Sequence, residues 1–343
     1  MIIGNEVVDL SPLFNANPVR NYLLSALGIF DGVGVQHHKV EVSRLIEDNL
    51  SLLNIPTARF SREHNTTARQ SDKSWLIELP YFLREDSINV SDVAGRRKQG
   101  STLEENVVDI SSDYMAKHFV AFQRTKESYL ARALFKGEVY SPKTNDLLID
   151  FGATFGISPM TATFYLSASD STSLRQIDDL VTQITEASQA QASAVERIII
   201  FAKGDFYSNL RFSEGMQTAM KYVSPFDNAN VVIARRDLLP GISTFSIPGT
   251  NCDVVKVSDK LLLQHFPDGV DAIAVPVFQE GANVWQNIYG AATSNFALIN
   301  AAPAETYSWS YGSERGDVVN LITENSALTV PHGLGFTVHI TAS

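Results

Sequence analysis

One stretch of the sequence, residues 111–137, constrains the fold most because it predicts a single long helix. It reads SSDYMAKHFVAFQRTKESYLARALFKG, with N-cap side chains at its start and a glycine suited to a helix C-terminus at its end. Large residues recur at steps of three and four, which places them on one helix face. A helix over residues 112–136 would be roughly 37 Å long, more than one compact domain requires. The side chains that we assign to its buried core are Met115, Phe119, Phe122 and Tyr129.

The composition is that of a globular protein, since 44% of the 343 residues are hydrophobic and 19% are charged. The formal net charge of −11 disfavours a nucleic-acid-binding surface, which needs a basic face, but allows a protein that encloses nucleic acid without gripping it. The only cysteine, Cys252, leaves no disulfide within the chain. The start, MIIGNEVVDL, lacks the basic region of a signal peptide, and no apolar run reaches the ~18–20 residues of a membrane span. We therefore expect an intracellular protein without membrane contact.

The most basic part of this acidic chain lies in a hairpin predicted at residues 54–80. PTARFSR predicts its first strand and KSWLIEL its second, with ten polar residues between them. An isolated two-stranded ribbon is only marginally stable in water, so we expect contacts with a neighbouring subunit. The alternative is an ordinary solvated loop. The residues that we assign to the intersubunit contact are Arg59, Arg62, Arg69, Lys73, Trp75, Ile77 and Leu79.

The other segments predict an α+β protein. Residues 1–53 begin with an arm in which Pro12 and Pro18 block a long helix, and we expect residues 1–20 to lie on an adjacent subunit. Residues 81–166 hold a turn-rich connection, the long helix and a hairpin. Helices and strands alternate over residues 167–300, around the buried strand ERIIIFA. Residues 301–343 are rich in strand sequence, which we expect to return to the long helix.

No motif indicates catalysis, a cofactor or a metal. The patterns G-x-G-x-x-G, G-x-x-x-x-G-K-[ST], G-x-S-x-G and H-E-x-x-H do not occur. His37 and His38 are adjacent, and neighbouring residues on a strand face opposite ways. Arg315-Gly316-Asp317 lies between two predicted strands, which favours a hairpin turn. We therefore assign no catalytic, cofactor-binding or metal-binding residue.

Short segments of this sequence also match a known order of parts. Ala133-Leu134-Phe135-Lys136-Gly137 leads from the long helix into a hairpin that ends at Asp150-Phe151-Gly152. The strand ERIIIF precedes the helix GDFYSNLRFSEGM, and strands run from Tyr307 to Ala342. This layout resembles the tailed-phage major capsid proteins of the lambda capsid protein E type, over nearly the whole chain.

The resemblance implies the Hong Kong 97-type capsid fold. Its parts would be an N-arm with the first peripheral-domain elements at 1–53, an extended E-loop at 54–80, a P-domain with the spine helix at 81–166, an axial A-domain at 167–300, and strands returning to the P-domain at 301–343. It also implies a structural protein, not an enzyme, whose hexamers and pentamers form an icosahedral shell around double-stranded DNA in the virion. Assembly would take place in the host cytoplasm. The implied partners are further copies of the chain, a portal, a separate scaffold and a decoration protein, with no sequence-specific DNA binding.

Two alternatives remain open from the sequence. An encapsulin-like compartment has the same fold but encloses an enzyme as cargo. A protein of another class, an α/β hydrolase-like enzyme, could bring Asp, Ser and His together only on folding.

Overall fold

Two six-stranded sheets and one long helix form most of the structure, a computed structural model that describes residues 7–15, 22–43, 74–94, 106–166, 172–188, 195–222, 242–296, 298–299, 301–313 and 315–343. The strands are β1 (Val8–Asp9), β2 (Asp31–Gly34), β3 (Lys39–Ser43), β4 (Ser74–Glu78), β5 (Tyr81–Asn89), β6 (Glu138–Tyr140), β7 (Leu147–Asp150), β8 (Met160–Phe164), β9 (Val195–Ala202), β10 (Thr244–Ser246), β11 (Cys252–Lys256), β12 (Ala272–Phe278), β13 (Trp285–Tyr289), β14 (Tyr307–Gly312), β15 (Val318–Pro331) and β16 (Val338–Ala342). The helices are α1 (Ser11–Asn15), α2 (Leu23–Leu27), α3 (Val90–Val93), α4 (Val107–Lys136), α5 (Phe151–Phe155), α6 (Thr172–Ala187), α7 (Gly204–Phe212), α8 (Glu214–Tyr222) and α9 (Lys260–Leu263), with a 3₁₀ helix at His332–Phe336. In the described ranges, no helix combines the length and apolar character needed to cross a membrane.

The first sheet is organised around β15, its longest strand. β14 and β5 lie antiparallel to the first part of β15, and β13 lies antiparallel to its last five residues. β1 extends the sheet beyond β14, and β2 lies parallel to β13 at the other end of the strand order. β2 is therefore an edge strand among the described residues.

The second sheet has the strand order β10-β11-β9-β12-β16-β8. Its central strand β12 and the last five residues of β9, Ile198–Ala202, are apolar runs that are buried on both faces, as expected for strands covered on both sides. Alternate residues of β9 face opposite ways, so Ile198 and Ile200 pack towards α6 and α7, whereas Ile199 and Phe201 pack towards α4. The ring centroids of Phe135 and Phe201 are 5.5 Å apart. The C-terminal half of α4 thus lies against this sheet.

The long helix α4 starts at Val107, five residues before the predicted start. Its N-cap is Asn106, whose side-chain oxygen accepts a hydrogen bond of 2.9 Å from the backbone three residues later. Ser111 and Ser112, which were predicted as caps, lie inside the helix and donate to carbonyls four residues earlier. The predicted end at Gly137 is confirmed, since this residue follows the helix with φ of 69°.

The two halves of α4 have different surroundings. Exposed side chains recur along the first half, which lies on the first sheet. From Glu127 to Phe135 nearly all side chains are buried, because this half passes between the first sheet, α2 and the second sheet. The single apolar stripe predicted for the whole helix therefore describes only its first half.

The ribbon predicted at residues 54–80 uses a different partner strand. β4 pairs antiparallel with β3, with Val42 opposite Trp75. β3 supplies the alternating valines Val40 and Val42, which match the apolar face of β4. The first strand that was predicted, residues 56–62, lies outside the described residues.

Several elements depart from the predicted segment boundaries. Of residues 301–343, which were expected to return to the long helix, β15 does pack on α4 through Leu321, whereas β16 pairs in parallel with β8 in the second sheet. β13, from the segment 167–300, lies in the first sheet because Trp285 and Ile288 pack in its cores. The helix expected over GDFYSNLRFSEGM is divided at Ser213 between two helices, α7 and α8. The hairpin β6–β7 after the long helix and the turn at Gly316, with φ of 71°, are confirmed.

Candidate assembly surfaces

The apolar face that was assigned to a neighbouring subunit lies inside its own chain. Ile77 and Leu79 are only 9% and 4% exposed, in a core cluster with residues of α5 and β15. Trp75 is half-buried, and its ring meets the ring of Phe155 edge-on at 5.4 Å between centroids. The first sheet and α5 offer apolar surface beside the ribbon, so this face anchors β4 within the subunit. Ile77 and Leu79 are therefore not available to another subunit, whereas the contact predicted for Trp75 stays a prediction.

The structure does not describe the basic residues of the same predicted contact. Arg59, Arg62, Arg69 and Lys73 fall outside the described residues. β3 ends at Ser43 and β4 begins at Ser74, and these two residues face each other across the ribbon. The two described residues that flank residues 44–73 are therefore neighbours at the end of the ribbon.

The surface carries large apolar side chains that the subunit itself does not cover. Leu76 projects from the other face of β4 and is 69% exposed, and Phe296 is 97% exposed. Single exposed apolar residues are common on soluble proteins. Larger apolar groups of this kind are available for contacts with other chains. Further examples are Tyr81, Leu83, Leu147, Leu148 and Phe212.

The residues that were assigned to the core of the long helix divide between two places. Met115 and Phe119, each 5% exposed, pack with β15 in one cluster. Tyr129 is buried further along the helix and stacks on Phe82 of β5, with 6.1 Å between ring centroids. Phe122 is half-buried at the boundary between the two halves of α4.

Phe14 anchors the N-terminal segment to its own chain. It is 1% exposed, and its ring meets the ring of Phe119 edge-on at 5.3 Å. β1 pairs with β14, and the hydroxyl of Ser11 donates to the Ser308 carbonyl at 3.3 Å. Residues 7–15 therefore pack on their own chain, and the other residues of the predicted arm, 1–6 and 16–20, lie outside the described residues. Pro12 suggested a break, but it occupies the first turn of α1, where a proline is tolerated.

A buried polar cluster joins α4 to the first sheet. His118 Nε2 lies 2.6 Å from Asp86 Oδ2, and Nδ1 lies 2.8 Å from Thr323 Oγ1. The Thr323 hydroxyl is 3.2 Å from that of Ser308. Burial lowers the pKa of His118, although its hydrogen bond to Asp86 opposes this shift. A carboxylate, an imidazole and a hydroxyl also form hydrolase triads, but the imidazole and both hydroxyls here are fully buried, so a substrate cannot reach them.

A second buried cluster lies near the end of α4. His265 Nε2 is 2.9 Å from the Ser128 hydroxyl and 3.1 Å from the Tyr140 hydroxyl. The guanidinium of Arg132 lies over the Tyr140 ring, 4.3 Å from its centroid. Burial, together with the positive charges of Arg132 and Lys136, lowers the pKa of His265 to about 4. The two hydroxyls also bond to each other, so Nε2 of the neutral imidazole, when it is the acceptor nitrogen, takes the proton of only one of them.

Glu127, fully buried in α4, binds the start of α2. Its carboxylate accepts hydrogen bonds from the backbone of Leu24 at 2.6 Å and of Ser25 at 3.1 Å, and from the Ser25 hydroxyl at 2.9 Å. Burial raises the pKa of this carboxyl, and the hydrogen bonds oppose the shift. Tyr22 provides no side-chain cap for α2, so Glu127 satisfies these backbone groups from another element. It thereby positions α2 and the turn that leads into β2.

Two solved structures resemble this arrangement. The capsid of Myoviridae phage XM1 has 10% sequence identity, and the match covers 96% of this chain and 97% of that chain with a TM-score of 0.50. The putative capsid protein of a prophage from Escherichia coli CFT073 has 12% identity, with coverage of 79% and 80% and a TM-score of 0.50. The fold is thus the Hong Kong 97-type capsid fold, as the sequence predicted.

A family model assigns the chain to one family of capsid proteins. The model for phage major capsid protein E matches residues 6–342, so the chain belongs to that family. It is a structural capsid subunit of the virion that assembles with other copies into a shell. The predicted resemblance is therefore confirmed. No curated protein matches the sequence significantly.

Proposed function

We propose that the chain forms the hexamers and pentamers of an icosahedral phage head that encloses double-stranded DNA. The observation that carries this proposal is the family match across residues 6–342. The net charge of −11 supports enclosure without adhesion, because an acidic wall repels the DNA backbone. The exposed apolar side chains Leu76 and Phe296 support contacts between copies.

The partners proposed for this head follow from the same family. They are a portal, a separate scaffold and a decoration protein, with assembly in the host cytoplasm. Within the subunit, residues 54–80 would act as the E-loop, with Arg59, Arg62, Arg69 and Lys73 contacting a neighbouring copy. The apolar contribution to that contact is reassigned from Ile77 and Leu79 to the exposed face of β4, which carries Leu76.

Electron microscopy of the purified recombinant chain tests this function. We expect closed shells of uniform diameter, with five-fold and six-fold capsomers, and light scattering that rises with protein concentration. Shells purified from cells that also produce the other head proteins should contain nuclease-protected DNA. A chain that stays monomeric at high concentration and with scaffold present would contradict the proposal, and shells that hold one protein cargo in place of DNA would favour a compartment.

A further inference from the structure

A cleft at the junction of the two sheets lies beside the free edge of β2. Its volume is about 410 Å³, enough for two or three large side chains. The turn from α2 into β2 forms one wall, and the start of β9, the end of β12 and the turn towards β13 form the other. Phe30 and Phe278 supply aromatic surface within it. Glu127 binds the start of α2, and the end of this helix lines the cleft.

The cleft has unmatched charge and an unmatched donor. Asp31, Glu196 and Glu280 line it, and the last two are exposed. Ion pairs among the described residues are formed by other carboxylates, those of Asp86, Glu138 and Glu305. The one cation in the cleft, Arg197, donates to the Leu27 carbonyl at 3.3 Å, and its buried Nε has no acceptor within the described part of the chain. The cleft thus suits a cationic segment that also offers carbonyl oxygens.

The chain carries a segment with this chemistry. Residues 59–73 hold four basic side chains against two acidic ones, although the whole chain has a net charge of −11. The segment belongs to residues 44–73, which leave and rejoin the described structure at the end of the β3–β4 ribbon. Thirty residues folded back on themselves extend about 50 Å at ~3.3 Å per residue, which is far enough to reach another subunit.

We propose that the cleft of each subunit binds the basic side chains of residues 54–73 from a second copy. This inference rests on the proposed assembly function and names the contact within it. Guanidinium groups pair with carboxylates through two parallel hydrogen bonds and stack on aromatic rings, so arginine fits both Glu196 and Phe30. A backbone carbonyl of the bound segment accepts from Arg197 Nε. Since each copy gives one loop and receives one, the contact is head-to-tail, the type of contact that builds cyclic capsomers when its rotation closes.

Charge reversal on each side of the contact tests this proposal. One variant carries Glu196→Lys with Glu280→Lys, and the other carries Arg59→Glu with Arg62→Glu. Each should stay folded by circular dichroism but form at least tenfold fewer shells by light scattering. Matched controls reverse the same charges at exposed positions of helices, Asp178→Lys with Asp179→Lys and Arg124→Glu with Arg175→Glu, and should assemble like the wild type. If the lysine variant unfolds, Glu196→Gln with Glu280→Gln removes the charges without reversing them and should still reduce assembly.

Mixing the two charge-reversed variants distinguishes a loop that binds the cleft of a second copy from a loop that binds the cleft of its own subunit. In the mixture, the arginine loop of one variant meets the carboxylates of the other, and the glutamate loop meets the lysines, so rings of six alternating copies should reappear in electron micrographs. A ring of five copies cannot alternate, so rings of six and not closed shells are the readout. If a single chain with all four changes forms such rings and the mixture forms none, the loop binds the cleft of its own subunit and the proposal is overturned. Normal shells from the lysine variant alone would also overturn it. Absence of shells from the wild type would instead contradict the proposed function.

Discussion

At the scale of single residues, Phe14 is the clearest case of a side chain whose importance depends on folding. Its burial against Phe119 joins α1 to the long helix, across more than 100 residues of sequence. We expect Phe14→Ala to lower the free energy of unfolding of the unassembled subunit by about 3–5 kcal/mol, because it leaves a cavity. Urea denaturation measures this. Leu13→Ala, at a neighbouring position that is 59% exposed, should change it by no more than about 0.5 kcal/mol, and equal effects would contradict this packing.

Buried histidines should make the subunit sensitive to mild acid. Burial lowers the pKa of His265 and of His332 to about 4, below the ordinary value of about 6.5 in an unfolded chain. Between these values the unfolded chain takes up protons that the folded chain does not. Stability is therefore fully present above pH 6.5 and decreases as pH falls towards 4, by up to about 1.4 kcal/mol per pH unit for each group.

Urea midpoints at pH 7, 6 and 5 measure this dependence. His265→Gln should reduce the slope between pH 6.5 and 5, although it also lowers stability at pH 7 because the buried Ser128–Tyr140 hydroxyl pair loses its contact with Nε2. His37→Gln, at an exposed position, serves as the control and should leave the slope unchanged. An unchanged slope in the His265 variant would show that this imidazole does not control acid sensitivity.

At the scale of elements, the end of the long helix depends on a glycine for two separable reasons. Gly137 has φ of 69°, and a Cβ atom there would overlap the side chain of Leu334. Gly156 has nearly the same φ, 67°, but open space around it. Gly156→Ala should therefore cost only the backbone strain, about 1–2 kcal/mol, whereas Gly137→Ala should cost a further 1–3 kcal/mol or so from overpacking. Thermal unfolding of both variants measures the difference, and equal losses would mean that Leu334 moves aside freely.

Patterns in the local sequence predicted the positions of helices and strands better than they predicted which strands pair with each other. Gly137, the β6–β7 hairpin and the buried strand β9 follow from turn chemistry and apolar runs, which depend on neighbouring residues. The start of α4 was misplaced because Asn106 and Ser111 are both good N-cap residues, and only the folded backbone selects between them. The pairing of β4 with β3 was missed because 30 residues separate them.

The candidate contact surfaces were also predicted less well, because they depend on residues that are distant from each other in the sequence. Trp75, Ile77 and Leu79 do form an apolar face, but the sequence does not say whether that face meets another subunit or the first sheet. The cleft carboxylates come from three segments that are 165 and 84 residues apart in sequence, at Asp31, Glu196 and Glu280. No local pattern brings such residues together, since their proximity depends on the order of strands in two sheets.

At the scale of the whole molecule, the long helix packs on both sheets, and the β3–β4 ribbon packs against the first sheet and α5. The ribbon's apolar face is used within the subunit, so the basic side chains of residues 59–73 are the part of the predicted contact that we still assign to a neighbouring copy. Exposed ion pairs contribute about 0–1 kcal/mol each and are weakened by salt. Many copies must therefore act together for such contacts to hold a shell.

Removing the loop should separate folding from assembly. Ser43 and Ser74 face each other at the end of the β3–β4 ribbon, so an Asn-Gly turn in place of residues 44–73 can close the hairpin directly. The core beneath it, which contains Val42 and Ile77, stays complete. We expect a subunit with wild-type circular dichroism and nearly the same urea midpoint.

The same shortened subunit should form no shells, because every copy lacks the segment that contacts its neighbour. Light scattering and electron microscopy at concentrations where the wild type assembles measure this outcome. A matched variant that keeps residues 44–73 but replaces only Asn65-Thr66-Thr67 with Gly-Ser-Gly controls for disturbance of the ribbon, because it preserves all the basic side chains, and it should assemble. If the shortened subunit forms normal shells, the contacts that join the copies lie on the described surfaces and not on the loop.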